Sequence, residues 1–233
     1  MLENLAEIEQ LPIFPLATVL FPGAILPLHI FEDRYKEMMR FAIDNGGVFG
    51  LSYRRDAAIG RETPPEINSV GCVAKIQAVA RLDEGRMNII STGVIRYRVL
   101  RLVQSTPFVI ARIEALTDDL EPGDDLNRIF EDIGDMCRKF LEAAQALGEP
   151  NAPVVQEFPE DAEAFSLMVA SALPIDNGAK QGLLEMTSTR QRLVRLRKYV
   201  TSALSEYGDR LKILESARGN GRGRASGELK IAN

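Results

Sequence analysis

The stretch LPIFPLATVLFPGAILPLHIF, Leu11–Phe31, runs for twenty-one residues without an Asp, Glu, Lys or Arg. About 20 apolar residues suffice to cross a bilayer as a helix, so length alone would suggest a membrane segment. Composition argues otherwise. Pro12, Pro15, Pro22, Gly23 and Pro27 interrupt the run, and each interior proline costs a helix about 3 kcal/mol or more. A secretory leader is not expected either: it would begin with a basic region, whereas residues 1–10 hold Glu3, Glu7 and Glu9 and no Lys or Arg. Proline is tolerated at strand starts and edges. The reading is therefore two β-strands, Ile13–Phe21 and Ala24–Ile30, joined as a pair by a Phe21-Pro22-Gly23 turn.

The rest of the chain fits a globular protein. It has 233 residues, 45% hydrophobic and 26% charged, with a formal net charge of −5. That length can bury a core without disulfides or metal. The negative charge disfavours non-specific binding to nucleic acid or anionic membrane. The two cysteines, Cys72 and Cys137, fall on apolar faces and read as buried free thiols in a reducing cytoplasm.

Periodicity divides the chain. In Glu32–Asn45, Tyr35, Met38, Met39, Ala42 and Ile43 keep the spacing of one buried helical stripe, and Gly46 ends it. Val48–Tyr53 reads as a strand and Arg54–Ser69 as a surface loop. Cys72–Leu82 alternates apolar and polar residues, the pattern of a half-buried strand. A hairpin turn at Asp83–Arg86 leads to Met87–Ser91. Val94–Val103 and Phe108–Leu116 follow as separate strands, which together suggest a small barrel or a curved sheet.

After the acidic stretch Asp118–Asp125 the period becomes helical. A long helix from Leu126 and a helix with Pro159 in its first turn come first. A short helix capped by Asp176 follows, then a long one, Thr189–Glu215, capped by Ser188. Leu193, Val200, Tyr207 and Leu214 recur every seven residues on the last. The expected organisation is α+β: a β-rich subdomain at 1–120, an all-helical subdomain at 121–215 and a disordered Gly/Arg tail at 216–233.

A search for catalytic chemistry finds little. There is no phosphate-cradling G-x-x-x-x-G-K-[ST], no G-x-G-x-x-G after a strand and no G-x-S-x-G elbow. The single histidine, His29, rules out a multi-histidine metal site, and two distant cysteines with one histidine make a poor zinc site. No cofactor or metal is expected. His29 reads as a packed histidine satisfied by a nearby carboxylate or carbonyl; the alternative is a hydrolase using it with Glu32. Arg96 and Arg98, beside Tyr97, read as a solvated sheet face rather than an RNA-binding surface. Glu160-Asp161 and Asp124-Asp125 read as carboxylates at helix starts, favoured by the helix dipole.

The assembled motifs resemble the Lon N-terminal, or substrate-binding, domain family. Its opening pattern is matched by Leu11, Pro12, Pro15, Leu16, Val19, Leu20, Phe21, Pro22, Gly23, Pro27 and Leu28. Val70–Val79 (VGCVAKIQAV), Ser91–Val103 (STGVIRYRVLRLV) and Phe165–Leu193 extend the likeness. His29–Glu32 with Arg34-Tyr35 is closer to the standalone bacterial branch than to the full protease. The resemblance implies a PUA-like β-barrel followed by a helical bundle with a long last helix. It implies non-catalytic binding of protein or peptide, since no motif of the protease's ATPase or peptidase domains occurs in these residues.

The expected partners are exposed apolar segments of unfolded or misfolded proteins in cytoplasmic quality control, with a protease or chaperone as a further candidate. Membrane and nucleic acid are not expected, although RNA binding through the PUA-like barrel stands as the alternative function. The last helix is a candidate homodimer contact. Candidate peptide-binding residues are Phe21, Pro22, Ile25, Met38 and Met39. Phe21 has two readings, exposed at the turn or folded back onto the barrel. The methionines likewise either line a groove or pack the core.

Overall fold

A computed structural model describes residues 7–54, 69–119, 124–148 and 158–222. Six strands come first: β1 (Glu7–Leu16), β2 (Ile25–Ile30), β3 (Val48–Tyr53), β4 (Val70–Arg81), β5 (Met87–Gln104) and β6 (Val109–Ala115). Helix α1 (Asp33–Asp44) lies between β2 and β3. The sheet order is β2-β5-β4-β3-β1-β6, and β6 also pairs with β5. That last pairing closes β5, β4, β3, β1 and β6 into a five-stranded ring and leaves β2 attached at one side. The helices α2 (Asp124–Ala146), α3 (Ala162–Ala172), α4 (Asn177–Leu184) and α5 (Thr189–Arg222) follow.

The apolar strands form the core on two faces. Leu11, Ile13, Val73, Tyr97, Val109, Ala111 and Ile113 make one cluster. The Tyr97 hydroxyl donates to the Leu51 carbonyl at 3.2 Å. Gly71 faces this ring: a Cβ there would lie 2.4 Å from the tyrosine oxygen and 2.3 Å from the Leu51 oxygen, so a side chain has no room. The second cluster gathers Phe14, Ile30, Phe49, Leu51, Ala74, Ile89 and Ile110 beneath α1. Tyr35, Met38, Met39 and Ala42 are the buried side of α1, as their spacing predicts.

The opening strands differ from the expected pair. β1 lies between β3, in parallel, and β6, antiparallel, whereas β2 pairs with β5. The Phe21-Pro22-Gly23 turn exists, with the Ala24 amide donating to the Phe21 carbonyl at 3.1 Å. It folds the chain onto Gly93: the Gly23 amide donates to the Gly93 carbonyl and the Gly93 amide to the Ala24 carbonyl, both at 2.9 Å. Apolar pattern marks strands but not their partners.

β4 also departs from the expected alternation. Val70–Ala74 are buried on both faces and residues 77–81 are exposed, because the strand leaves the ring and projects as a hairpin with β5. The two strands expected at Met87–Ser91 and Val94–Val103 are one strand of 18 residues, β5.

The helical unit is built on two parallel helices. Asp125 pairs with Arg190 at 3.5 Å and Asp132 with Arg197 at 2.9 Å. The Phe140 and Tyr207 rings lie 4.9 Å apart further along, so α2 and α5 run in the same direction. Side-chain caps start α3, α4 and α5: Asp161 accepts from the Ala164 amide, Asp176 from Ala179 and Ser188 from Gln191. Asp176 and Ser188 cap as expected. Pro159 lies outside α3 rather than in its first turn, since Asp161 is the cap. Helix α5 reaches Arg222, so 216–222, expected as disordered tail, are helical. A glycine costs a helix interior about 1 kcal/mol, which need not stop propagation of a helix already nucleated. Residues 223–233 lie outside the described residues, as do 55–68 of the expected surface loop.

Two features tie the halves together. One core cluster contains Phe21, Val70 and Leu116 alongside Ile133, Phe165, Leu183, Leu193 and Val200. Beside it lies a buried ionic cluster. Arg96 and Arg192 are 1% and 0% exposed, and both pair with Asp118. Arg96 also donates to the carbonyls of Leu184, at 3.0 Å, and Met186, at 2.7 Å, and to Glu163 at 3.1 Å. Arg192 donates to Ser166 Oγ and to the Met186 carbonyl, each at 2.8 Å. Arg96 is thus covered by the helices, not solvated. Arg98, two residues on, is half exposed and lies 3.6 Å from Glu114. Asp118, at the start of the expected linker, is an anchor.

Candidate peptide-binding face

The projecting end of β4 beyond Ile76 has one open edge, and among the described residues β2 has one along its whole length. It pairs with β5 alone, and the Ala24 carbonyl already points to Gly93. Backbone groups alternate in direction along an antiparallel strand. Those of Leu26, Leu28 and Ile30 therefore face β5, and those of Ile25, Pro27 and His29 face away. Pro27 has no amide to leave unpaired there, which is where an edge strand tolerates proline.

Side chains alternate too. Leu26, Leu28 and Ile30 pack on the core beneath α1, leaving Ile25, Pro27 and His29 exposed. Their register partners on β5 are Thr92, Ile90 and Asn88, and Ala78 and Ala80 of β4 continue the row. Ile25 is 72% exposed, Phe31 60% and Ile90 49%. Isolated exposed apolar residues are ordinary; here they share one small sheet face. His29 lies among them, its Nδ1 2.7 Å from Asn88 Oδ1 and its ring stacked 6.0 Å from Phe31.

Beside the edge of β2 lies a groove of about 340 Å³, lined by Phe14–Ala17 from β1 and its exit, Leu28–Phe31, Glu32, Arg34, Tyr35 and Arg54. Arg34 crosses its rim, 2.8 Å from Glu32 and 4.5 Å from the Tyr35 ring centroid. The walls are mainly apolar and the rim carries both charges.

Of the sequence candidates, Ile25 lies fully on this face and Pro22 is half-buried at the turn. Phe21 is buried, but its ring enters the cluster shared with the helices rather than folding only onto the barrel. Met38 and Met39 are fully buried and leave the set of contact residues. Phe31 and Ile90 share the exposed face although the sequence does not single them out. The period-two alternation through Ile25, Pro27 and His29 was available as a signal, but Ile90 becomes its neighbour only once β2 pairs with β5.

The catalytic alternative finds no geometry here. His29 is exposed rather than packed, its Nδ1 satisfied by the side-chain carbonyl of Asn88, the carbonyl of the expected carboxylate-or-carbonyl pair, and Glu32 is engaged by Arg34. Both thiols are buried and free. Burial pushes Cys72 up to about 12 and Cys137 up to about 11, far from the thiolate a nucleophile needs. Among the described residues no group of His, Cys, Asp or Glu is placed to hold a metal, and no helix is long and apolar enough to cross a membrane.

Comparison with known proteins agrees with this architecture. The chain is 27% identical over 206 residues to the Lon protease of Anaeromyxobacter dehalogenans, covering 87% of this chain and 24% of that protein. It is 26% identical over 214 residues to Lon protease 2 of Myxococcus xanthus, covering 90% and 25%. It thus spans about a quarter of the length of these proteases. Among solved structures, the Lon N-terminal domain protein from Xanthomonas campestris superposes with a TM-score of 0.56 at 23% identity, covering 82% of this chain and 98% of the other. The N-terminal domain of the Mycobacterium avium complex Lon protease gives 0.59 at 18%, covering 83% and 98%. The model of the substrate-binding domain of the ATP-dependent protease La (LON) matches residues 10–202, and the chain belongs to that family.

Proposed function

We propose that this chain is a non-catalytic, cytoplasmic binding module that takes up extended apolar segments of unfolded or misfolded proteins along the open edge of β2. The carrying observation is the coincidence of that edge with the exposed face of Ile25, Phe31 and Ile90. A segment adding to β2 would pair with the outward backbone groups of Ile25 and His29 and the carbonyl of Pro27. Its alternate side chains would fall on the Ile25–Ile90 face and toward the groove. This is strand addition, in which main-chain bonds supply affinity and side-chain pockets supply selectivity. One short edge interrupted by proline offers few bonds, so binding by a single copy is micromolar or weaker.

Titration of a permanently unfolded, labelled model protein tests this reading. Phe31→Ser and Ile25→Ser should each weaken binding roughly three- to tenfold, by analogy with loss of interface contacts worth about 1 kcal/mol. Circular dichroism should show both variants folded, because these side chains are exposed. Unchanged binding by both folded variants would move the site elsewhere.

A further inference from the structure

A second pocket, of about 310 Å³, lies between the end of α1 and the tip of the β4–β5 hairpin. It is lined by three arginines, Arg40 from α1 and Arg81 and Arg86 from the hairpin, with Ile43, Leu82 and Met87 as its apolar wall and Asp44 as its acidic member. On a chain of net charge −5, this is a local inversion of sign. Arg86 is partly occupied: its Nε donates to the Asp83 carbonyl at 3.2 Å and lies 3.9 Å from Glu84. Arg40 and Arg81 have no ion-pair partner among the described residues. The backbone brings them near one another. Glu84 and Gly85 both have positive φ, 59° and 71°, and this tight tip holds Gly85 so close to α1 that a Cβ there would lie 3.1 Å from an Arg40 guanidinium nitrogen.

Arg40 and Arg81 are exposed and Arg86 partly so, so their mutual repulsion is screened by water, and an anion arriving in the pocket they line meets all three charges. Guanidinium groups match carboxylates with two parallel hydrogen bonds. α1 presents its C-terminal end here, whose partial negative charge works against a dianion such as phosphate more than against a carboxylate. The pocket also sits beside the proposed peptide path: Met87 is the register partner of Ile30, one residue before Phe31.

We propose that Arg40, Arg81 and Arg86 form a carboxylate-binding pocket that selects protein segments carrying Asp or Glu next to their apolar stretch. This deepens the peptide-binding reading and rests on it. The test uses fluorescence anisotropy with two labelled apolar peptides on the full chain, one flanked by Glu pairs and the other with Gln at those positions. Wild type should bind the Glu peptide roughly three- to tenfold more tightly, as one or two charge-assisted bonds would give. The preference should shrink in Arg81→Gln and vanish in Arg40→Gln/Arg81→Gln, with binding of the Gln peptide unchanged. Equal binding of both peptides by wild type, or a preference that survives the double variant, overturns the pocket while leaving the apolar reading intact. Failure of both peptides to bind overturns the pocket and the peptide-binding reading together. Displacement of the Glu peptide by inorganic phosphate at lower concentration than by glutarate assigns the pocket to phosphate and overturns the carboxylate proposal.

Discussion

Asp118 accepts hydrogen bonds from Arg96, Thr189 and Arg192 where barrel and helices meet. Burial works to raise its pKa, but hydrogen bonds from Arg192 and Thr189 and the charges of Arg192 and Arg96 outweigh that, leaving the carboxyl below its ordinary value. A carboxylate with a depressed folded-state pKa gives stability that is fully present above its unfolded value, about 3.9, and is lost as pH falls through the folded value. Asp118→Asn leaves two buried guanidinium groups without their shared anion, and removing one partner of such a buried pair costs roughly 3–5 kcal/mol. Urea unfolding at pH 7 should show that loss. The gap between wild type and variant should narrow below about pH 4, where protonation removes the same charge from wild type. An unchanged urea midpoint at pH 7 would show that the cluster carries no net stability. Little in the sequence marks this site. Arg96, Asp118 and Arg192 lie far apart in the chain, Asp118 opens an acidic stretch that reads as linker, and Arg96 alternates with Arg98 as if both were solvated.

At the scale of elements, β5 organises the barrel, because it pairs with β2, β4 and β6. Gly93 lies where β5 meets the Phe21-Pro22-Gly23 turn, and a Cβ there would stand 2.1 Å from the Phe21 carbonyl oxygen. Gly93→Ala should therefore push the turn off β5 and loosen both Phe21 and β2. A thermal melt should show a loss of order 1–3 kcal/mol, the usual cost of overpacking. An unaltered melting temperature would mean that the turn can shift without cost. Most elements were legible: α1, β3, the Asp83–Arg86 turn and the capped starts of α4 and α5 follow from period and punctuation. Pairing was not. The hydrophobic pattern is local, whereas the partners of β1 and β2 are set by closure of the ring. Gly93, which reads as a break between two strands, is instead the point where one continuous strand lets another segment approach.

On the scale of the whole molecule, the shared cluster of Phe21, Val70 and Leu116 with the helices, together with Arg96–Asp118–Arg192, points to coupled unfolding of barrel and helical bundle. Chemical denaturation should give one transition, coincident by far-UV circular dichroism and by tyrosine fluorescence. Two separated transitions, or a stable helical fragment released by limited proteolysis, would show the halves to be independent. A stable scaffold suits an edge-strand site, since the face to be offered is held by β5 from behind while its outward groups stay open. The proposed function places the bound peptide on this edge. Amide hydrogen exchange followed by NMR, with and without a saturating apolar peptide, tests it most directly. The outward amides of Ile25 and His29 should exchange rapidly in the free protein and become protected when peptide is bound, with chemical-shift changes centred on Phe31 and Ile90. Unprotected amides at Ile25 and His29, with the shift changes gathered instead on α2 and α5, would contradict it.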